Sequence, residues 1–177
     1  MTKYVALLRG INVGGNKKVE MGRLRKCFEE NGYKNVKTYI NSGNVIFESE
    51  DKNTSKLAKK IETEIELFFN INIDVLVRTA ENIWKVSEGI PAEWKNDAEE
   101  KTDVIFLKDG FDNEDCLKLV AIKEVDQTFY IDGAIVWHIK RSDYGKSGLN
   151  KFMGTVIYKN MTARNINTVR KLVAIMN

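Results

Sequence analysis

Glycine, asparagine and lysine are concentrated in one short segment near the start of the chain. Residues 10–18 read Gly-Ile-Asn-Val-Gly-Gly-Asn-Lys-Lys and directly follow an apolar run that ends at Arg9. Glycines let backbone N–H groups approach an anion, and the start of a following helix adds partial positive charge. Because Arg9, Lys17 and Lys18 add full charges, the segment is a candidate site for a phosphate-like anion. The alternative is a tight turn with glycines at positive φ and solvated lysines.

The spacing of this loop differs from that of the Walker loop, which binds nucleotide phosphates. Gly10 and Gly15 have the separation that a Walker loop requires, but Asn16 occupies the position of its lysine. The sequence therefore predicts a weaker anion site and no standard nucleotide motif.

Two further polar segments are candidates for the same site. Residues 41–44, Asn-Ser-Gly-Asn, have the composition of a hairpin tip, and residues 162–165, Thr-Ala-Arg-Asn, are predicted to start a helix with Thr162 as its N-cap. Turn formation and helix capping alone are the alternatives. In the predicted fold the hairpin and the first loop need not lie at the same end of a sheet. The candidate ligand-binding residues are Arg9, Asn12, Gly14, Gly15, Lys17, Lys18, Asn41, Ser42, Asn44, Arg164 and Asn165.

Standard catalytic constellations are missing from the sequence. His138 is the only histidine, and Cys27 and Cys116 are the only cysteines, so a zinc site is not expected. No Gly-x-Ser-x-Gly motif indicates a hydrolase. We expect a structural histidine, two free buried thiols and a reducing cytoplasm. The sequence predicts no metal and no cofactor, assigns no catalytic residue and leaves a metal-dependent phosphotransfer site open.

Charge is unevenly distributed along the 177 residues. Residues 1–78 carry 14 basic and 10 acidic side chains, residues 79–138 carry 6 and 14, and residues 139–177 carry 8 and 1. Such asymmetry is typical of a polyanion-binding face, although the basic C-terminal segment could equally dock against the acidic middle. No apolar run approaches the roughly 20 residues of a membrane span, and the N-terminus leads directly into a predicted strand. We therefore expect no signal peptide and no membrane partner.

Hydrophobic periodicity in the first half predicts the order β-α-β-β-α-β. An apolar run gives the first strand, and a helical pattern from Met21 ends at Gly32. Two strands flank the turn containing Gly43, and Asn53 or Thr54 caps the second helix. The predicted strands are residues 3–9, 35–40, 44–49 and 73–77. This is the ferredoxin-like order, a sheet with two helices on one face.

The second half repeats part of this pattern. A helix after Thr79 is followed by an irregular connection and then by a strand, a short helix capped by Asp112, and a hairpin turning at Asp132-Gly133. A C-terminal helix completes the chain, and residues 155–158 fit either a strand or a helix. We predict an α+β protein of two ferredoxin-like subdomains, 1–78 and 102–177, which are joined by residues 79–101 and arose by internal duplication.

Three stretches together resemble one bacterial family. They are Leu-Leu-Arg-Gly-Ile-Asn-Val-Gly-Gly at 7–15, Thr-Tyr-Ile-Asn-Ser-Gly-Asn-Val-Ile-Phe at 38–47 and Thr-Ala-Arg-Asn-Ile-Asn-Thr-Val at 162–169. Their order and spacing are similar to those of domain-of-unknown-function family 1697. The resemblance implies an α+β fold with ferredoxin-like subdomains and implies no activity. Relatives often carry tryptophan where this chain has Ile166, so a role for an aromatic side chain there does not transfer.

The predicted function is binding of a phosphorylated ligand or a nucleic acid through a basic site formed by the Arg9–Lys18 loop and the 162–165 segment. One alternative is a small enzyme acting on a phosphorylated metabolite, with Asn41, Ser42 or Asn44 near the substrate. Another is a protein-interaction module. RNA-recognition modules share the ferredoxin-like order, but their paired aromatics are missing and only Tyr4 is a candidate for base stacking. The sequence does not indicate the oligomeric state.

Overall fold

The computed structural model describes residues 1–14 and 17–177, which form helices and two four-stranded antiparallel sheets. The chain divides into two compact units. The first contains residues 1–80 and Met176, and the second contains residues 81–175 and Asn177. Each sheet belongs to one unit, and the fold class is α+β, with two similar ferredoxin-like subdomains and a C-terminal helix.

The first unit has the predicted element order. Its elements are β1 (Thr2–Leu8), α1 (Met21–Glu30), β2 (Lys34–Tyr39), β3 (Asn44–Ser49), α2 (Thr54–Phe69) and β4 (Val75–Thr79). The strands lie in the order β2-β3-β1-β4, with β1 antiparallel to β3 and Leu7 opposite Asn44. The C-terminal end of β1 therefore lies beside the N-terminal end of β3, and this placement decides where the candidate site forms.

Alternation along β1 builds the core of the first unit. Tyr4, Ala6 and Leu8 are buried in one hydrophobic cluster with residues of α1 and α2, as expected for the face of a sheet covered by helices. Phe47 on β3 lies at the centre of an aromatic group, with its ring centroid 5.6 Å from that of Tyr4 and 5.5 Å from that of Phe28. Such pairs add about 0.5–1.5 kcal/mol to the burial of the rings.

The second unit repeats this strand topology with shorter helices between its strands. Its elements are α3 (Ala80–Glu88), β5 (Glu100–Leu107), β6 (Gln127–Ile131), β7 (Ala134–Lys140), α4 (Val156–Lys159), β8 (Met161–Asn165) and α5 (Ile166–Met176), with 3-10 helices at Glu114–Leu119, Arg141–Lys146 and Gly148–Gly154. The strand order β6-β7-β5-β8 matches that of the first sheet position by position. Among the described residues, no helix combines the length and the apolar character needed to cross a membrane.

Local details confirm some sequence predictions and contradict others. The predicted hairpin turn is confirmed, since Asp132 and Gly133 have φ of 42° and 83°. Residues 156–159 are helical, which settles the ambiguity at 155–158. The cap at Asp112 is wrong, because Asn113 accepts the hydrogen bond from the backbone N–H of Asp115. Asx side chains at neighbouring positions offer the same oxygen, so sequence does not separate them.

A partly buried carboxylate organises the segment between β7 and α4. Asp126 accepts hydrogen bonds from Trp137 Nε1 at 3.0 Å, from Ser147 Oγ at 2.5 Å and from the backbone N–H of Gly148 at 2.9 Å. Trp137 is fully buried in the second core. Burial alone would raise the pKa of Asp126, but these hydrogen bonds outweigh it and hold the pKa below its ordinary value.

Candidate functional site

The fold brings the first loop and the β2–β3 hairpin to the same end of the first sheet. The backbone N–H of Leu8 donates to Gly43 O at 2.8 Å, and Asn12 Nδ2 donates to Asn41 O at 2.9 Å. The expectation that these segments need not meet is wrong, because the β2-β3-β1-β4 order places the end of β1 beside the start of β3. The same topology puts the start of α1 and the end of α2 at this end of the sheet.

Asn12 holds the loop closed. Its Nδ2 also donates to Val19 O at 2.9 Å, and its Oδ1 accepts from the backbone N–H of Val19 at 2.8 Å. Its φ is 55°, in the left-handed region that asparagine tolerates better than most residues. Both amide protons are therefore used within the protein, and Asn12 shapes the site without offering a free amide to a ligand.

Gly43 and Asn44 fix the hairpin against the loop. Gly43 has φ of 78°, and a Cβ at this position would lie 2.7 Å from Ile11 Cδ1 and 2.8 Å from Leu8 Cβ. Asn44 is fully buried and donates from Nδ2 to Tyr39 O at 3.0 Å and to Ser42 Oγ at 3.2 Å. The polar Ser-Gly-Asn sequence thus makes a tight turn on which Ile11 packs.

A cleft of about 560 Å³ lies at this end of the first unit. The first loop, the start of α1, the hairpin and the end of α2 each contribute to its walls. Its lining residues are Asn12, Lys18, Val19, Glu20, Met21, Arg23, Asn41 and Phe69. This volume is in the range of roughly 300–1,000 Å³ that is typical of small-molecule sites.

Polar side chains in the cleft remain available for binding. Within the described residues, Lys18, Glu20 and Arg23 have no hydrogen-bond or ion-pair partner for their side chains, and α1 begins without a side-chain cap. The guanidinium of Arg23 lies 5.2 Å from the ring centroid of Phe69 and 5.6 Å from that of Phe68. These distances are in the range of a cation–π contact, and no described residue accepts a hydrogen bond from the guanidinium.

Two other candidate residues of the first loop, Lys17 and Gly14, lie in different surroundings. Lys17 lines a separate cleft of about 450 Å³ and donates from Nζ to Asn72 O at 2.7 Å. That cleft holds the acidic side chains of Glu62, Glu66 and Asp74 beside two lysines, so it does not favour an anion. Gly14 is exposed and has φ of 61°. Gly15 and Asn16 lie outside the described residues.

The 162–165 segment is a strand and not a helix start. Residues 161–165 form β8, and the N-cap of α5 is Asn165, whose side chain accepts from the backbone N–H of Thr168. Arg164 is 7% exposed and donates from Nη1 to Thr162 Oγ1 at 3.0 Å and to Ala163 O at 2.8 Å. Burial lowers the pKa of Arg164 to about 10. Propensity missed this strand because its pairing with β5 is a tertiary effect.

The basic C-terminal segment contacts the acidic middle through backbone carbonyls. Arg170 donates from Nη1 to Trp94 O at 2.9 Å and from Nη2 to Pro91 O at 3.1 Å, and Arg141 Nε donates to Asp97 O at 2.5 Å. Such contacts hold an irregular connection that lacks ladder hydrogen bonds of its own. Arg141 and Arg170 are therefore partly committed to structure within the second unit.

His138 is also engaged in structure. Thr102 Oγ1 donates to Lys95 O at 2.6 Å and lies 2.8 Å from His138 Nδ1. Since the single hydroxyl proton serves the carbonyl, Nδ1 must carry the imidazole proton and donate to Thr102. The ring stacks on Trp94 with centroids 4.3 Å apart, and burial lowers the pKa of His138. No group of His, Cys, Asp or Glu side chains in the described part of the chain has a metal-binding arrangement.

The first sheet does not present the surface that RNA-recognition modules use. Tyr4 is 1% exposed and stacks on Phe47 inside the core, so its prediction as a base-stacking residue is wrong. On the opposite face of the central strands, Val5, Leu7 and Ile46 are aliphatic and buried. Base stacking on this sheet would need exposed aromatic side chains.

Sequence reasoning missed Arg23, Glu20 and Phe69. Two of them flank the start of α1, where the absence of a Ser, Thr, Asp or Asn cap was a usable signal. Phe69 ends α2, and only the ferredoxin-like topology, in which α2 runs towards the end of the sheet where α1 starts, places it beside Arg23. The predicted element order contained this information.

These features define an α+β protein with paired ferredoxin-like units and a partly polar cleft in the first. The chain belongs to the family of proteins of unknown function DUF1697, whose pattern matches residues 1–137. Its fold is similar to that of the conserved bacterial protein SP0830 from Streptococcus pneumoniae, with 29% identity, a TM-score of 0.82 and coverage of 99% of both chains. No protein of curated function matches the chain.

Proposed function

We propose that this protein binds a small phosphorylated ligand in the cleft at the end of its first sheet. The observation that supports this most directly is the placement of Arg23. Its guanidinium is held over Phe69, lines the cleft and has no hydrogen-bond acceptor within the described residues. The planar fork of N–H donors on arginine is well suited to two oxygens of a phosphate.

Lys18 and the first turn of α1 support the same ligand chemistry. Lys18 adds a mobile positive charge to the wall that contains Arg23, and the N–H groups at the start of α1 add partial positive charge. Glu20 in the same wall lowers the net charge, so the cleft favours a ligand of modest negative charge over a polyanion. This differs from the site predicted across both sequence segments, because Arg164 is buried and already hydrogen-bonded.

A small ligand fits the structure better than a nucleic acid does. The cleft is concave, whereas the central strands of the first sheet expose no aromatic platform among the described residues. We also propose a reducing cytoplasmic location, because Cys27 and Cys116 are both free and buried.

The proposal can be tested by titration calorimetry of the full chain with a panel of phosphorylated metabolites, nucleotides and a short oligonucleotide. A screen by thermal shift comes first, since a ligand at 100 times its Kd stabilises the folded state by about 2.7 kcal/mol. Arg23→Ala should weaken binding about 10- to 100-fold, because a hydrogen bond to a charged group contributes about 1.5–3 kcal/mol. Lys18→Ala should have a smaller effect of the same sign.

Arg25→Ala is the matched control. Arg25 lies on the same helix, pairs with Glu29 at 2.8 Å and does not line the cleft. At physiological salt the Debye length is about 8 Å, so loss of this charge should change affinity less than twofold. Equal effects of Arg23→Ala and Arg25→Ala would show general electrostatics instead of a site. Tight binding of the oligonucleotide alone would favour the nucleic-acid function.

A further inference from the structure

The cleft carries an apolar wall that a phosphate group would not contact. Met21 and Phe69 line it, and both are partly buried against the first hydrophobic core. A phosphate fills only a small part of a cleft of about 560 Å³. An apolar wall beside a cationic one indicates a ligand with a large, flat body attached to its charged group.

We infer that the ligand is a nucleoside monophosphate, an inference that rests on the proposed function of the cleft. Its phosphate contacts Arg23 and Lys18, and its base lies against the Met21–Phe69 wall. Every base has a π face, and base stacking on aromatic side chains and arginine planes is a common mode of recognition. Arg23 Cζ lies 5.2 Å from the ring centroid of Phe69, so a cationic donor group and an aromatic ring are neighbours in the wall of the cleft.

The remaining polar groups are consistent with this class. Asn41 lines the cleft with a side-chain amide that has no partner among the described residues, and it can pair with a base edge or a ribose hydroxyl. Glu20 can accept from ribose hydroxyls or from an exocyclic amine. Together with Lys18 and Arg23, Glu20 leaves one net positive charge in the wall, which suits one phosphate better than three.

The experiment compares four nucleoside monophosphates with ribose 5-phosphate, inorganic phosphate and a nucleoside triphosphate, by titration calorimetry on the full chain. The best nucleoside monophosphate should bind at least tenfold more tightly than ribose 5-phosphate, and no more weakly than the triphosphate. In Phe69→Leu, which keeps an apolar side chain, this preference over ribose 5-phosphate should fall at least threefold. Glu20→Gln should shift the preference towards the triphosphate.

The outcomes separate this inference from the proposed function. Equal affinity for ribose 5-phosphate and every nucleoside monophosphate overturns the inference and leaves phosphate binding intact. Failure of all phosphorylated compounds to bind overturns both. A 5′-phosphorylated trinucleotide presents the same nucleoside phosphate at its end. If it binds more tightly than any nucleoside monophosphate, the inference of a free nucleotide is wrong. The wild-type comparison does not depend on the folding of any variant.

Discussion

Replacement of Gly43 by alanine tests whether the Ser-Gly-Asn turn is built around the first loop. A Cβ at Gly43 would lie 2.7 Å from Ile11 Cδ1 and 2.8 Å from Leu8 Cβ, both far inside ordinary contact distance. The residue also has φ of 78°, which disfavours any side chain. We therefore expect Gly43→Ala to push the hairpin away from the loop and to destabilise the first unit.

The magnitude has two parts. Left-handed backbone costs a non-glycine residue about 1–2 kcal/mol, and forcing a methyl group into a packed interface costs about 1–3 kcal/mol. The sum is about 2–5 kcal/mol. Gly10→Ala isolates the first part, because Gly10 has φ of 66° and a Cβ there would meet no atom within 4 Å. The difference between the two variants should be at least about 1 kcal/mol.

Urea unfolding followed by far-UV circular dichroism measures this difference. Tryptophan fluorescence is unsuitable, because Trp84, Trp94 and Trp137 all lie in the second unit. With a urea slope of about 2 kcal/mol/M, the midpoint of Gly43→Ala should lie at least about 0.5 M below that of Gly10→Ala. Adding Ile11→Val, which removes Cδ1, should recover part of the loss. Coincident midpoints for the two glycine variants would refute the steric argument.

Three further predictions concern Gly148, Asp126 and the two cysteines. Gly148→Ala should prevent native docking of its segment, because a Cβ there would lie 1.4 Å from Ala121 O. We expect the free energy of unfolding, measured by tryptophan fluorescence, to fall by more than about 3 kcal/mol. A fall of less than about 1 kcal/mol would contradict the packing. Asp126 has a lowered pKa, so its contribution to stability is present above about pH 4 and lost as the pH falls further; Asp126→Asn should show a weaker acid dependence below pH 4 than wild type, and equal slopes would exclude Asp126 as the cause. Burial raises the pKa of Cys27 and of Cys116 to about 11, so neither thiol should react with a disulfide reagent at pH 8 until the protein is unfolded, and rapid reaction of the native protein would contradict their burial.

Sequence patterns were sufficient for the first unit because its apolar pattern, its helix cap and its turn residues all predict the same elements. Apolar alternation, the Asn53 cap and positive φ at Gly43 all indicate the β-α-β-β-α-β order that the structure shows. In the second unit the local signals are weaker. The short strand at 161–165 has no apolar alternation to mark it, and its hydrogen bonds to β5 decide its conformation. In the sequence Thr-Ala-Arg-Asn at 162–165, both Thr162 and Asn165 are residue types that commonly cap helices. The structure shows that Asn165 is the cap.

The three candidate segments do not belong to one unit: the first loop and the hairpin lie in the first unit, and residues 162–165 lie in the second. The first loop and the hairpin do border the cleft, and Lys18 and Asn41 line it. Asn12 and Asn44, by contrast, use their amides within the protein, as does Arg164 with its guanidinium. A polar side chain at a sharp turn satisfies backbone groups that regular structure leaves unpaired. Residue type alone therefore does not distinguish a side chain that shapes a loop from one that binds a ligand.

The stretches at 7–15 and 38–47 supply the closed loop and the tight hairpin. They contact each other through the hydrogen bond from Asn12 Nδ2 to Asn41 O and through the packing of Gly43 against Ile11. Among the described cleft residues whose side-chain donors have no partner, Arg23 and Lys18 lie outside both stretches and Asn41 lies within the second. A relative can therefore keep the loop and the hairpin while Arg23 or Phe69 changes, and under the proposed function its ligand preference would then change. SP0830, which shares the fold at 29% identity, provides a direct test of the proposed function. If SP0830 carries arginine and phenylalanine at the positions of Arg23 and Phe69, titration calorimetry should give the same ligand preference for both proteins, and different preferences would contradict the proposal.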